Sequence, residues 1–364
     1  MSNLTQFDHY LSDRGPAALV VREHLIPVEG ADGVVFPATF AAGDGFPGGY
    51  NIDGDPNGEN IALIDSVGSQ ANRIEPMFAE TAYAKLVPQV SITAGEKTVS
   101  LLQAGHRAGD AIVRCSALQQ ELQDAFKKLL AGDAAPLAKI APTSLVFGVW
   151  DSRDTQAKVP RLIASTVRAY NVQKLTRHAQ FVPAIDYVHE GVLQEPEDLR
   201  DANGKIIGKH PFAQRGFTHI PVTKTENTHG GIIAKGGIRR DATLALAALN
   251  LLHVGSDAKA TLGLRRYILG LALVAFTRLP GGYLRQGTIL VSDPDKPRKF
   301  DEVYPNGERK PAPVTHEQAI AFAKAAAEAF GVGADRTVPF DTERAKRDVA
   351  PPEKEAKAGK AKKK

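Results

Sequence analysis

The chain has 364 residues, 43% hydrophobic and 24% charged, with one tryptophan and one cysteine. That size and mixture exclude a mostly disordered chain, and Cys115 alone can form neither an intramolecular disulfide nor a cysteine-rich zinc site. The formal charge of +4 lies entirely in 341–364, so the remainder is formally neutral and any polyanion site on it is a local patch.

The first residues lack a basic segment followed by an apolar one, and the longest apolar stretch, 267–276, has ten residues where a bilayer needs about 20. A cytoplasmic protein without a membrane partner is the expectation.

Short strands are predicted at 18–22 and 33–37, followed by a Gly/Asp/Pro-rich loop over 40–60. In that loop Asp53-Gly-Asp-Pro-Asn-Gly58 resembles the opening of a calcium loop. The twelfth position is Ile64 rather than a carboxylate, so a turn cluster is expected. After the apolar run 61–64, Asp65 and Ser66 offer helix-start chemistry, and Ile74, Phe78, Ala82 and Leu86 recur every four residues as a helix stripe. A second helix is predicted over 108–131, with Cys115 on its apolar stripe as a packing residue and Gly132 as its cap. The runs 144–150 and 162–167 read as buried strands. The segment 195–240 is polar and Gly-rich around an Asn-Gly turn, which predicts an extended hairpin or long loop. Its His210, His219 and His229 lack acidic partners at ligand spacing and read as loop histidines. Helices are predicted at 241–254 and 261–277, a strand at 284–291, and a helix opened by the capping box at Thr315 and closed at Gly331. The body is therefore 1–340, of α+β class with long insertions, and the lysine-rich end 341–364 is expected to be disordered, either merely solvated or adding non-specific nucleic-acid affinity.

The P-loop, dinucleotide, nucleophile-elbow and His-Glu-x-x-His signatures are all missing, so no cofactor or metal is expected. The most informative stretch is Asp65-Ser-Val-Gly-Ser-Gln-Ala-Asn-Arg-Ile-Glu75. On a helix Ser66, Ser69, Gln70 and Arg73 share one face, and hydroxyl, amide and guanidinium groups at a helix start can hold a phosphate. A serine cap with a solvated polar face gives the same pattern. A second constellation, Phe147-Gly-Val-Trp-Asp-Ser-Arg153, sets Trp150, Ser152 and Arg153 at a strand end, suited to stacking a base and touching a backbone or to an ordinary core and turn. Arg161, Arg168, Arg239, Arg240 and Arg285 lie beside strands or Gly-rich turns, placed for phosphates or for internal ion pairs.

The runs 33–40, Tyr50-Asn-Ile-Asp53 and 63–75, extended by 147–153, the Leu-Arg-Arg-Tyr run from Leu264 and Leu284-Arg-Gln-Gly287, resemble the backbone subunit of type I-G (formerly I-U) CRISPR effector complexes, of the seventh Cas group in the RAMP superfamily. The similarity spans about residues 15–330. It implies an RRM-like, ferredoxin-like palm with insertions, a thumb within 195–240, and several copies along one CRISPR RNA. It also implies target DNA met through the guide, and contacts with a large subunit and a fused processing or cap subunit. Carried over by motif, Ser66, Ser69, Gln70, Asn72 and Arg73 would face RNA, with Arg153 a further candidate. This reading is non-catalytic. The competing readings are a metal-dependent target-RNA ribonuclease like related type III subunits, for which Asp44, Asp53 and Asp55 are the candidates, and a small-molecule enzyme marked by an apolar pocket of titratable groups.

Overall fold

The structure is a computed structural model that describes residues 3–56, 58–177, 180–221, 229–279 and 281–350. Strand β1 (Ala18–Pro27) contains the predicted run 18–22 and continues beyond it. β2 (Asn60–Asp65) leads into α1 (Val67–Ile74), with Ser66 as the N-cap. Then come α2 (Gln119–Leu130), α3 (Pro142–Phe147), β3 (Ile163–Tyr170) and β4 (Ile238–Ala245). α4 (Ala258–Thr277), β5 (Thr288–Ser292), β6 (Lys299–Val303), α5 (His316–Phe330) and α6 (Thr342–Val349) complete the main elements.

The sheet runs β5–β1–β4–β3–β2, every neighbouring pair antiparallel. β5 pairs the far end of β1 and β6 pairs its beginning. Helices lie between β1 and β3 and between β4 and β5, while β3 is followed by β4. The four central strands therefore have the β-α-β-β-α-β order of a ferredoxin-like domain, and the α+β class holds.

Alternation along the strands sends Leu19, Val21, Ala242, Leu244 and Ile163 into the main core, which α2 to α5 complete. Farther along, Leu25, Ile238, Val167, Ala169 and Ile64 belong to a second apolar cluster. Between the two the inward positions are polar: Glu23, Arg240 and Ser165 are all buried. This polar seam is where α1 meets the sheet.

Several expectations change. The run 144–150 is not a strand: α3 takes 142–147 and only Val149–Trp150 is extended, because a short, wholly apolar run has no periodicity to separate helix from strand. The predicted helix 241–254 begins inside β4, whose alternating burial is a period-two signal, and only Leu246–Leu249 forms a short turn of helix. In 33–37 only an isolated Val35–Ile232 bridge forms. The 40–60 loop contains short strands at Thr39–Phe40, Gly49–Tyr50 and Ile52–Gly54.

The stripe 74–86 breaks after Ile74, where Pro76 enters a 3-10 turn. The helix predicted over 108–131 is interrupted at Ser116, whose hydroxyl donates to Val113 O and accepts from Leu118 N. The run 284–291 is a hairpin turning at Gly287. By contrast, the capping box at Thr315 and the left-handed Gly331 bound α5 as its sequence requires.

The predicted hairpin segment is bounded differently. The chain leaves the body after Val172–Lys174 and returns at Ile232–Ala234, which pair at the base of the excursion; 238–240 belong to the central sheet. The excursion has its own small cluster of Leu199, Phe212 and Ala213. Beyond Asp341, where disorder is expected, α6 forms and Asp348 pairs with Arg114. Residues 351–364 lie outside the described residues.

Candidate nucleic-acid interface

The geometry of a capped helix start brings the first constellation together around one carboxylate. Ser66 Oγ accepts from Ser69 N at 3.2 Å, and the Ser66 hydroxyl donates to Ser69 Oγ at 3.2 Å. Asp65, with no side-chain exposure, accepts from Gln70 Nε2 at 2.7 Å, Arg73 Nε at 3.2 Å and Arg285 Nη2 at 2.9 Å. Gln70 Oε1 in turn accepts from Ser165 Oγ at 2.9 Å. Gln70 is thus turned into the seam, where it positions Asp65 and α1. Arg73 remains exposed, and Arg285 is partly buried. Burial pulls the Arg285 guanidinium below its usual pKa, with Asp65 opposing that shift. One carboxylate facing two guanidiniums leaves this end of α1 net positive.

The second constellation forms a cleft of about 540 Å³. α3 ends at Gly148 (φ +80), where an added Cβ would lie 2.8 Å from Arg161 Cγ and 3.0 Å from Val159 O. Val149–Trp150 then pairs with Lys158–Val159, and the intervening turn is stiffened by buried Asp151, which accepts from Thr155 N at 2.8 Å and Thr155 Oγ1 at 2.6 Å. Trp150 is 56% exposed, with Lys158 Nζ 5.6 Å from its ring centroid. Ser152, Arg153 and Arg161 line the same cleft, as do Arg107, Arg114 and Lys158, which the sequence reading did not single out. No aspartate or glutamate is among the lining residues.

Arg107 connects the two clusters. Its guanidinium donates to Asn72 Oδ1 at 3.3 Å and to Gly148 O at 3.3 Å, and its Nε lies 2.6 Å from Glu75 Oε2. It holds a left-handed φ of 53°, a conformation that periodicity cannot reveal. Burial lowers the Arg107 pKa and pushes Glu75 up to about 7 against the pull of Arg107.

The other arginines divide between the sheet faces. Arg168 and Arg239 are cross-strand neighbours on the face opposite the cores. Arg168 donates to Thr166 Oγ1 at 2.6 Å, and Arg239 donates to Asp241 at 2.8 Å and Tyr170 OH at 2.8 Å. Arg240, the next residue on β4, points inward and pairs with buried Glu23 at 2.7 Å. It is an internal ion pair rather than part of either exposed cluster.

The histidines do not form one site: His210 caps Phe212 N and bonds Asp198, whereas His229 packs on Tyr50. Asp44 sits in the turn closed by Gly43 and Phe46, Asp53 on the edge strand Ile52–Gly54, and Asp55 in a main-chain turn with Gly58 and Glu59. Asn57 of the calcium-like run lies outside the described residues. Among the described residues, no group of three or more His, Cys, Asp or Glu side chains is placed to hold a metal ion. Cys115 is buried and its thiol donates to Asp348, in keeping with a packing role.

Residues 19–174 match the model of a family described as CRISPR-associated protein GSU0053. The matched segment contains β1 from Leu19 onward, β2, α1, α2, α3, the Trp150 cleft and β3. No curated protein matches the chain.

Proposed function

We propose that the protein is a non-catalytic backbone subunit that binds CRISPR RNA, similar to those of type I-G effector complexes, and lines up in several copies along the guide. The observation that carries this reading is the Trp150 cleft: an exposed aromatic ring, a hydroxyl and several cationic side chains, with no carboxylate on its lining. Such a surface holds a single strand by stacking and by phosphate contacts and reads no base edge. Base readout is left to the guide, which pairs with target DNA. The positive end of α1 extends the surface through Asn72 and Arg107. The CRISPR-associated family match and the ferredoxin-like strand order support the same reading.

The other partners in this reading are further copies of the chain, a large subunit and a processing or cap subunit, in the cytoplasm. The test is to purify the full chain with and without a guide RNA expressed alongside it. The expected result is RNA-bound protein that forms elongated assemblies in electron micrographs only when guide is present. Protein that stays free of nucleic acid and of one size in both preparations would contradict the proposal.

A further inference from the structure

The polar seam contains a second opening, apart from the Trp150 cleft. A cavity of about 440 Å³ lies between α1 and the turn that follows α4, lined among others by Gln70, Arg73, Arg240, Arg278, Leu279 and Tyr283. A smaller cavity of about 220 Å³ shares Gln70, Arg240 and Leu279 with it.

Its charges do not balance. Asp65 answers both Arg73 and Arg285, Glu23 answers Arg240 while also attracting Arg298, and Glu80 answers Arg278 at 2.9 Å. Guanidiniums therefore outnumber carboxylates around the cavity. Arg240 has 5% side-chain exposure, and its Nη2 has no hydrogen-bond partner. A buried cation short of partners is costly, and an anion entering the cavity would relieve that cost. The Arg278–Glu80 pair is different: both side chains are more than a third exposed, so exchanging Glu80 for another anion costs little.

The rim supplies the apolar half of a ligand site. Tyr283 is 63% exposed and Leu279 66% exposed. Between them, Gly282 cannot carry a side chain, because a Cβ there would lie 2.5 Å from Leu290 O. The Tyr283 ring therefore stands beside bare backbone, open to a flat partner.

We propose that this cleft takes one nucleotide of a bound single strand, its phosphodiester on Arg73 and Arg278 with Arg240 behind them, and its base on Tyr283. The inference rests on the nucleic-acid reading above and adds to it a subsite in which Arg240, Arg278 and Tyr283, outside the family-matched segment, join Arg73 inside it.

The test uses the full chain and single-stranded RNA carrying 4-thiouridine. Irradiation should attach RNA to the peptide containing Tyr283. In fluorescence anisotropy, Tyr283→Ala should weaken binding about tenfold, while Tyr283→Phe retains it. Arg278→Ala should lower the dependence of log affinity on log salt by about 0.7. Glu80→Gln should tighten binding about twofold, because it frees Arg278 for phosphate. These side chains are exposed enough for the variants to fold, and matching thermal unfolding curves would verify it. If the unaltered chain binds RNA but no adduct maps to Tyr283 and all four variants bind alike, the subsite is wrong and the broader reading stands. If the unaltered chain binds no RNA, the broader reading falls and the subsite with it.

Discussion

Arg107 donates to Asn72 Oδ1 at 3.3 Å, and this bond joins the end of α1 to the Trp150 cleft. The two residues are separated by a 3-10 turn, a strand pair and two further turns, yet one side chain serves both clusters. Arg107 also reaches Gly148 O, so the position of the cleft wall depends on the conformation of α1 and the reverse. Disturbing either cluster should be felt at the other.

Asp65 is the point at which that coupling is most exposed to mutation. Asp65→Asn keeps the shape but removes the charge that holds Arg73 and Arg285, leaving two guanidiniums facing each other. Stability should fall by about 3 kcal/mol, read from urea unfolding. RNA affinity should fall as well, since Arg73 loses its anchor. An unchanged unfolding midpoint would show that Asp65 is not the organiser of this site.

Gly148→Ala tests the geometry of the other cluster. The substitution puts a Cβ on a residue at φ +80 and within 2.8 Å of Arg161 Cγ. A cost of about 1–3 kcal/mol is expected, together with weaker RNA binding as Arg161 is displaced. Thermal unfolding and anisotropy would report the two effects separately.

Trp150→Ala should separate function from stability. The ring is 56% exposed, so unfolding should change by no more than about 0.5 kcal/mol. RNA affinity should drop about tenfold through lost stacking. Loss of stability without loss of binding would assign the ring to packing.

The pH dependence has a traceable source in His316. Thr277 Oγ1 donates to Leu273 O, so His316 Nδ1 donates to Thr277, which in the neutral ring leaves Nε2 to accept from Tyr83 OH. Burial favours that neutral ring and holds its pKa below the ordinary value of 6.5. A base with a depressed folded pKa binds fewer protons in the folded state, so its stabilisation is present above 6.5 and is lost as pH falls through the lowered value. The unfolding temperature of the native chain should therefore fall more steeply below pH 6.5 than that of His316→Gln. Parallel curves would refute the assignment.

Local chemistry was legible in the sequence where a side chain acts on its own neighbourhood. Ser66 caps α1, Thr315 and Gln318 close a capping box, and Gly132 takes the left-handed turn after α2. Trp150, Ser152 and Arg153 are grouped by short spacing, and they line one cleft together with Arg161, an arginine read as lying beside a strand. Sequence and structure part where burial on both sides erases periodicity, as in 144–150, and where the strand alternation of Ile238, Arg240, Ala242 and Leu244 runs directly into helix-forming residues. Gln70 shows a further limit: helical spacing gives its face but not the buried Asp65 and Ser165 that claim its amide. Arg240 and Arg239 show the same limit on a strand, since adjacent arginines end on opposite faces once the sheet is built. The contributions of Arg107, Arg114 and Lys158 depend on contacts across the fold that no local pattern encodes.

The most direct measurement is the affinity of the full chain for single-stranded guide RNA as a function of salt, compared with a double variant carrying Arg153→Ala and Arg161→Ala. Phosphate contacts release counterions, so the native chain should lose affinity steeply as salt rises, and the double variant should show a slope shallower by about 1.4. Equal affinities and equal slopes for the two proteins would contradict a ribose-phosphate grip by the Trp150 cleft.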